Sequence, residues 1–104
     1  MRGREIALGP GKVDLLEAIR DCGTLSSAAR RLGLSYMRAW TLVGTMNGCF
    51  KLPLVILARG GAERGRARLS PAGEQALARY RRMENDAARA CARDAAALRR
   101  RLKP

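Results

Sequence analysis

The chain has 104 residues, 47% of them apolar, and sets 21 Lys and Arg against 9 Asp and Glu for a formal net charge of +12. That length suits one small domain with a modest core, and the charge calls for a polyanionic partner, because like-charge repulsion disfavours a compact state. Nucleic acid comes first and an anionic membrane surface second. No stretch approaches the length of a membrane span, and "MRGREIALG" lacks an apolar run long enough for a signal sequence, so the expected setting is cytoplasmic, away from membranes. Cys22, Cys49 and Cys91 are odd in number, widely spaced and accompanied by no His, which leaves neither a disulfide framework nor a zinc finger to read; buried thiols are expected. With no His and with carboxylates scattered over helix surfaces, neither an enzyme nor a cofactor is expected.

In chain order, "REIAL" predicts a short extended start. "GPGKVDLLEAIRDCG" then places Leu15, Leu16, Ile19 and Cys22 at helical spacing between an opening Pro and a stop at Gly23. "TLSSAARRLG" offers Thr24 and Ser26 as N-caps of a very short second helix that turns Ala28, Ala29 and Leu32 to one side and ends at Gly33. Ser35 caps a third, with Ala39, Leu42, Val43, Met46 and Phe50 on its apolar stripe. "KLPLVILARGGAERGRARLSP" changes texture: apolar residues, a Gly- and Arg-rich interruption and the alternating "RARL" predict a β-hairpin with a basic tip. Ser70, Pro71 and Glu74 then open a long Ala- and Arg-rich helix that runs toward Leu102.

"SSAARRLGLSYMRAWTLV" has the mechanics of a helix-turn-helix. A small residue, Ala29, stands where two helices cross, a glycine, Gly33, makes the turn, and Ala39 and Leu42 line the inner face of the second helix. At about 100° per residue the stripe of the third helix centres on Ala39. Met37, Thr41 and Gly44 then point away from the core, Arg38 and Trp40 lie on the flanks, and Tyr36 sits near the stripe's edge. Met37 and Thr41 suit thymine methyl groups, while Arg38 can reach guanine or a phosphate. Trp40 fits two roles equally, outward reader or core-edge lock. Gly44 and Gly48 also face outward, each costing about 1 kcal/mol relative to Ala in a helix, so either the helix ends early or something approaches closely there.

Around this face, Ser26, Ser27, Arg30 and Arg31 of the second helix are candidates for phosphate contact, with capping and solvation as their plain alternatives. In "ARGGAERGRARL", Arg59, Arg64, Arg66 and Arg68 surround glycines that let the hairpin bend close to a nucleic-acid backbone.

The strings "LLEAI", "GTLSSAARRLGLSYMRAW", "MN", "PLV", "GG" and "ARLSPAGEQALARY" resemble, in that order, the N-terminal DNA-binding domain of the ModE family of molybdate-responsive transcription regulators, with LysR-type winged helices as distant relatives. The resemblance covers roughly residues 4–82. It implies a dimeric winged helix-turn-helix, with a recognition helix over Ser35 to Met46 and a wing over Val55 to Leu69. The chain departs from the family at Ile56, where an acidic residue usually follows "LV", and in a thinner glycine run. Nothing in it resembles the family's molybdate-binding domains, so the chain alone is not expected to sense molybdate, and a separate effector-sensing protein stands among the candidate partners.

The expectation is therefore a mainly α chain with a small β-hairpin (α+β). Residues 1–72 form the winged helix-turn-helix, with Ser35, Tyr36, Met37, Arg38, Trp40 and Thr41 as DNA readers. Residues 70–104 form a long dimerisation helix, whose seam is Leu77, Tyr80, Met83, Ala88, Cys91, Ala95, Leu98 and Leu102. The expected partners are double-stranded DNA with a pseudo-palindromic site and a second copy of the chain. The rivals are a sequence-indifferent nucleic-acid or RNA binder and a protein-interaction module built on the final helix.

Overall fold

The computed structural model describes residues 8–58 and 65–103. Helix α1 (Pro10–Cys22) begins with Pro at its first turn, where a missing amide hydrogen does no harm, and stops at Gly23. There φ is +78°, and the Gly23 amide donates to the Ile19 carbonyl at 2.9 Å. Helix α2 (Leu25–Arg31) is capped by Thr24, whose Oγ1 accepts from the Ser27 amide at 3.2 Å. Thr24, not Ser26, therefore does the capping. The turn that follows passes through Gly33 at φ +69°, and Ser35 Oγ accepts from the Arg38 amide at 3.0 Å to start α3 (Tyr36–Cys49). This helix runs unbroken through Gly44 and Gly48, so the early end that the sequence left open does not occur.

Strands β1 (Val55–Leu57) and β2 (Ala67–Leu69) pair antiparallel, Val55 opposite Leu69 and Ile56 opposite Arg68. The alternation in "RARL" works as period two requires: Ala67 and Leu69 are buried, while Arg66 and Arg68 face solvent. The hairpin is stitched to the end of α1, since the Ala67 amide donates to the Gly23 carbonyl at 2.9 Å and Thr24 bridges Arg66. Helix α4 (Pro71–Arg99) follows at once, with Ser70 Oγ accepting from the Gly73 amide at 3.0 Å.

The core draws Val13, Leu15, Leu16 and Ile19 from α1, Leu25 and Ala28 from α2, Ala39, Val43 and Met46 from α3, and Leu54, Val55, Ala67 and Leu69 from the hairpin. Helix α4 contributes little more than Leu77 to it, with Tyr80 packed at the edge. Leu77 is only 3% exposed, which corrects its place in the expected seam: it faces the core of its own chain and cannot also face a partner. Beyond that point α4 projects as a rod. At 1.5 Å per residue its 29 residues span about 43 Å, in a molecule whose principal extents are 56 × 31 × 24 Å. Leu102 lies past the end of the helix and so continues no helical stripe.

Three polar devices hold the hairpin and α4 in place. Where α3, β1 and α4 meet, the Asn47 amide accepts from the Leu54 and Val55 amides at 2.9 and 3.1 Å and donates to the Val55 carbonyl at 3.0 Å. Close by, buried Ser70 donates its hydroxyl to the Pro53 carbonyl at 2.6 Å, while its amide meets the Leu54 carbonyl at 2.9 Å. Further along, the Arg81 guanidinium reaches Glu17 at 2.6 Å, Glu84 at 2.9 Å and Asp14 at 3.0 Å, bracing α4 against α1. Its pKa is raised above the ordinary arginine value by hydrogen bonds to Glu84, Glu17 and Asp14, in that order. The carboxylates are thus less scattered than the sequence suggests. The cysteines also depart from expectation: Cys22 and Cys49 are half-buried and Cys91 is exposed. Among the described residues no helix is long and apolar enough to cross a membrane.

Candidate nucleic-acid interface

The site is built on the outer face of α3. Its inner face is consumed by the core through Ala39, Val43 and Met46, and a period of 3.6 residues forces the intervening side chains outward. Met37 is 64% exposed, Trp40 51% and Tyr36 48%, and Ser35, Arg38 and Thr41 are exposed beside them. Three large apolar side chains that a core would welcome are therefore held on one short stretch of surface. Trp40, which suited two roles in the sequence, takes the outward one in the main. Tyr36 stands on the same flank one helical turn earlier, and Arg38 stands across the face from them.

The Thr41 hydroxyl donates to the Met37 carbonyl of its own helix at 2.9 Å. Gly44 and Gly48 extend the face with no side chain, and a Cβ built at either would meet nothing within 4 Å. Asn47, which carries a polar amide at the edge of this helix, is turned instead to the α3–β1 junction.

The α2 candidates divide. Ser26 and Arg30 are exposed and Ser27 is half-buried, and Arg30 makes no ion pair with any described residue. Arg31 is held by Asp21 at 3.1 Å, and Arg20 binds the other oxygen of that carboxylate at 3.2 Å. Hydrogen bonds from Arg20 first and Arg31 second hold the Asp21 carboxyl below its ordinary pKa. Arg31 therefore serves the α1–α2 corner as well as the surface. On the hairpin, Arg66 and Arg68 project from the side away from the core; Arg59 and Arg64 lie outside the described residues. Arg38, Arg66 and Arg68 form no ion pair with any described residue.

Of the expected seam residues on α4, Met83, Ala88, Cys91 and Leu98 are exposed, Ala95 is half-buried and Tyr80 packs at the edge of the core. What sequence reasoning missed is Asn47 and the Arg81 cluster. The "MN" string pointed to Asn47 as part of a family resemblance without revealing its work as a clamp. Arg81 carries no signal of its own among so many arginines.

No family model matches the chain. It is similar to the molybdenum-pterin-binding protein MopA of Rhodobacter capsulatus, 46% identical over 77 residues that cover 74% of this chain and 29% of the relative. It is also similar to the molybdenum transport protein ModE of Azotobacter vinelandii, 38% identical over 78 residues, 75% of this chain and 29% of the other. With the DNA-binding transcriptional dual regulator ModE of Escherichia coli K12 it shares 34% over 71 residues, 68% and 27% of the two chains. The chain thus spans less than a third of the length of these relatives. Among solved structures, the crystal structure of a CbnR DBD–DNA complex matches with a TM-score of 0.67 at 21% identity, covering 88% of this chain and 99% of that one. Over about three quarters of its length the chain is thus similar to proteins named MopA and ModE, and its fold is a winged helix-turn-helix extended by a long terminal helix.

Proposed function

We propose that the chain is a sequence-specific DNA-binding transcription regulator of the ModE type. The observation that carries this reading is the outer face of α3, where Tyr36, Met37 and Trp40 are held in solvent with Arg38 and Thr41 beside them. A helix presented this way on a helix-turn-helix enters the major groove and reads base edges. Arg30 of α2 and Arg66 and Arg68 of the wing are exposed on the same chain and supply phosphate contacts, which set affinity and register without reading sequence. The net charge of +12 favours the same partner, as do the relatives, one of which is named a DNA-binding transcriptional regulator.

The second element of the proposal is a two-fold dimer through the distal part of α4, built on Ala88, Cys91, Ala95 and Leu98, which recur at spacings of three, four and three. This is the rhythm of a two-helix seam, and alanines let such helices approach closely. Two recognition helices then meet a pseudo-palindromic site, with half-sites about one turn of DNA apart or a multiple of it.

The deciding experiment is a salt titration of binding to a selected duplex and to random duplexes. A steep slope with a large preference for the selected duplex supports specific regulation; a steep slope without preference supports a sequence-indifferent binder, and no binding an interaction module. Arg68→Ala is expected to weaken binding to every duplex and to lower the salt slope by about 1. Truncation after Met83 leaves every core residue in place and is expected to give a monomer without a symmetric footprint. A truncated chain that stayed dimeric on the same footprint would remove α4 from the interface.

A further inference from the structure

The outer stripe of α3 is chemically one-sided. Met37 has no hydrogen-bond donor, and the one donor of Thr41, its hydroxyl, is engaged by the Met37 carbonyl at 2.9 Å. Gly44 and Gly48 follow with no side chain at all. Side-chain donors stand on the flanks only: Tyr36 and Trp40 on one, Arg38 and half-buried Thr45 on the other. The amide of Asn47 is bound into the α3–β1 junction, and the backbone amide of Arg38 is taken by Ser35.

Base edges in the major groove differ in what they ask of a protein. Each pair shows two acceptors and one amino donor, N7 and O6 of guanine with the amino group of cytosine, or N7 of adenine and O4 of thymine with the amino group of adenine, and thymine alone adds a methyl group. A stripe without free side-chain donors leaves the two acceptors of either pair unmet, so hydrogen bonding at its centre does not choose between them. The same stripe suits an A·T pair, because the thioether of Met37 and the methyl of Thr41 meet the thymine methyl while the Thr41 oxygen still accepts from adenine. Cytosine also offers an amino group, so the methyl is what separates the pairs.

Resting on the DNA-binding reading above, we infer that Met37 and Thr41 set sequence preference through the C5 methyl group of thymine beneath the centre of α3, and that guanine is read only at the flank by Arg38.

The test uses the best-bound duplex selected from a random library, with thymine replaced by uracil one position at a time and binding followed by fluorescence anisotropy at fixed salt. At one or two positions in each half-site the loss of the methyl is expected to weaken binding about four-fold, the factor for burying one such group. Thr41→Ser, which keeps the hydroxyl and drops the methyl, should lose the thymine-to-uracil ratio at its position, whereas Thr41→Val should keep that ratio. Met37→Ala should lose it at a neighbouring position. Because both side chains are exposed, these variants leave the core untouched. A ratio that followed the hydroxyl, kept in Thr41→Ser and lost in Thr41→Val, would overturn the inference, as would indifference to uracil throughout the site in a chain that still prefers its selected duplex. A chain that bound random duplexes equally well would fail one level earlier, taking the sequence-specific reading with it.

Discussion

Gly73 and Gly44 are both helical glycines, and they stand in opposite surroundings. A Cβ built at Gly73 would lie 2.1 Å from the Leu54 carbonyl oxygen, in the buried junction where α4 leaves the hairpin. One built at Gly44 would meet nothing within 4 Å, on the outer face of α3. The first glycine is demanded by the folded chain, because α4 must touch the backbone just before β1 for the Ser70 amide and hydroxyl to reach the Leu54 and Pro53 carbonyls. Nothing in the folded chain demands the second. The junction is therefore shaped for stability, and the outer face carries a helix-weakening residue that the fold itself does not explain.

The hardest test of this contrast is Gly73→Ala. The obstacle is backbone, not a flexible side-chain tip, so α4 must move away from β1 and break the capping bonds of Ser70. The expected destabilisation is on the order of 3 kcal/mol or more, at the upper end for overpacking, read as a fall in the urea midpoint. A variant within about 0.5 kcal/mol of the parent would mean that the junction is not closed as described.

Asn47→Ala attacks the same junction from α3. It leaves the Leu54 and Val55 amides and the Val55 carbonyl without the partner that satisfies all three. Half-buried backbone groups stripped of hydrogen bonds cost roughly 1–3 kcal/mol, so an intermediate loss of about 2 kcal/mol is expected. Asn47→Asp keeps both acceptances but turns a carboxylate oxygen toward the Val55 carbonyl in place of the donating amide, so it should also destabilise the fold. If Asn47→Ala were neutral, the hairpin would be held by its strands and core alone.

Much of this frame was legible in the sequence, and the parts that were share one property: their signal is local. Ser35 and Ser70 cap their helices as their chemistry indicates, Gly23 and Gly33 take the positive φ that suits them, and the "RARL" alternation sorts buried from exposed residues. What failed depends on where the body of the domain ends. Leu77 and Ala88 belong to one helical stripe, and periodicity cannot say that the first meets its own core while the second projects beyond it. Trp40 was ambiguous for a related reason, since its angle on the wheel falls between the two faces and only the placement of neighbouring helices decides it. The Asp14, Glu17 and Glu84 cluster on Arg81 spans 67 residues of sequence from Asp14 to Arg81, a separation over which one sequence offers no pairing signal.

The smallest effect, and the one that sharpens the contrast most, is Gly44→Ala. The backbone at Gly44 is helical and its φ is not positive, so alanine adopts it without strain, and the new methyl enters open space. Alanine has the higher helix propensity, and it also removes conformations that glycine gives the unfolded chain. The substitution should therefore stabilise the fold by about 0.5–1 kcal/mol, raising the melting temperature by roughly 4–8 °C per kcal/mol for a domain of this size. Gly48 is a less clean site because it lies next to the last residue of α3, where the helix end contributes its own effects. Opposite signs for the same Gly→Ala change at positions 73 and 44, measured in one urea series, would establish that the two glycines serve different ends. A loss of stability at Gly44 would instead mean that α3 bends or opens there, and the outer face would have to be redrawn from Thr41 onward.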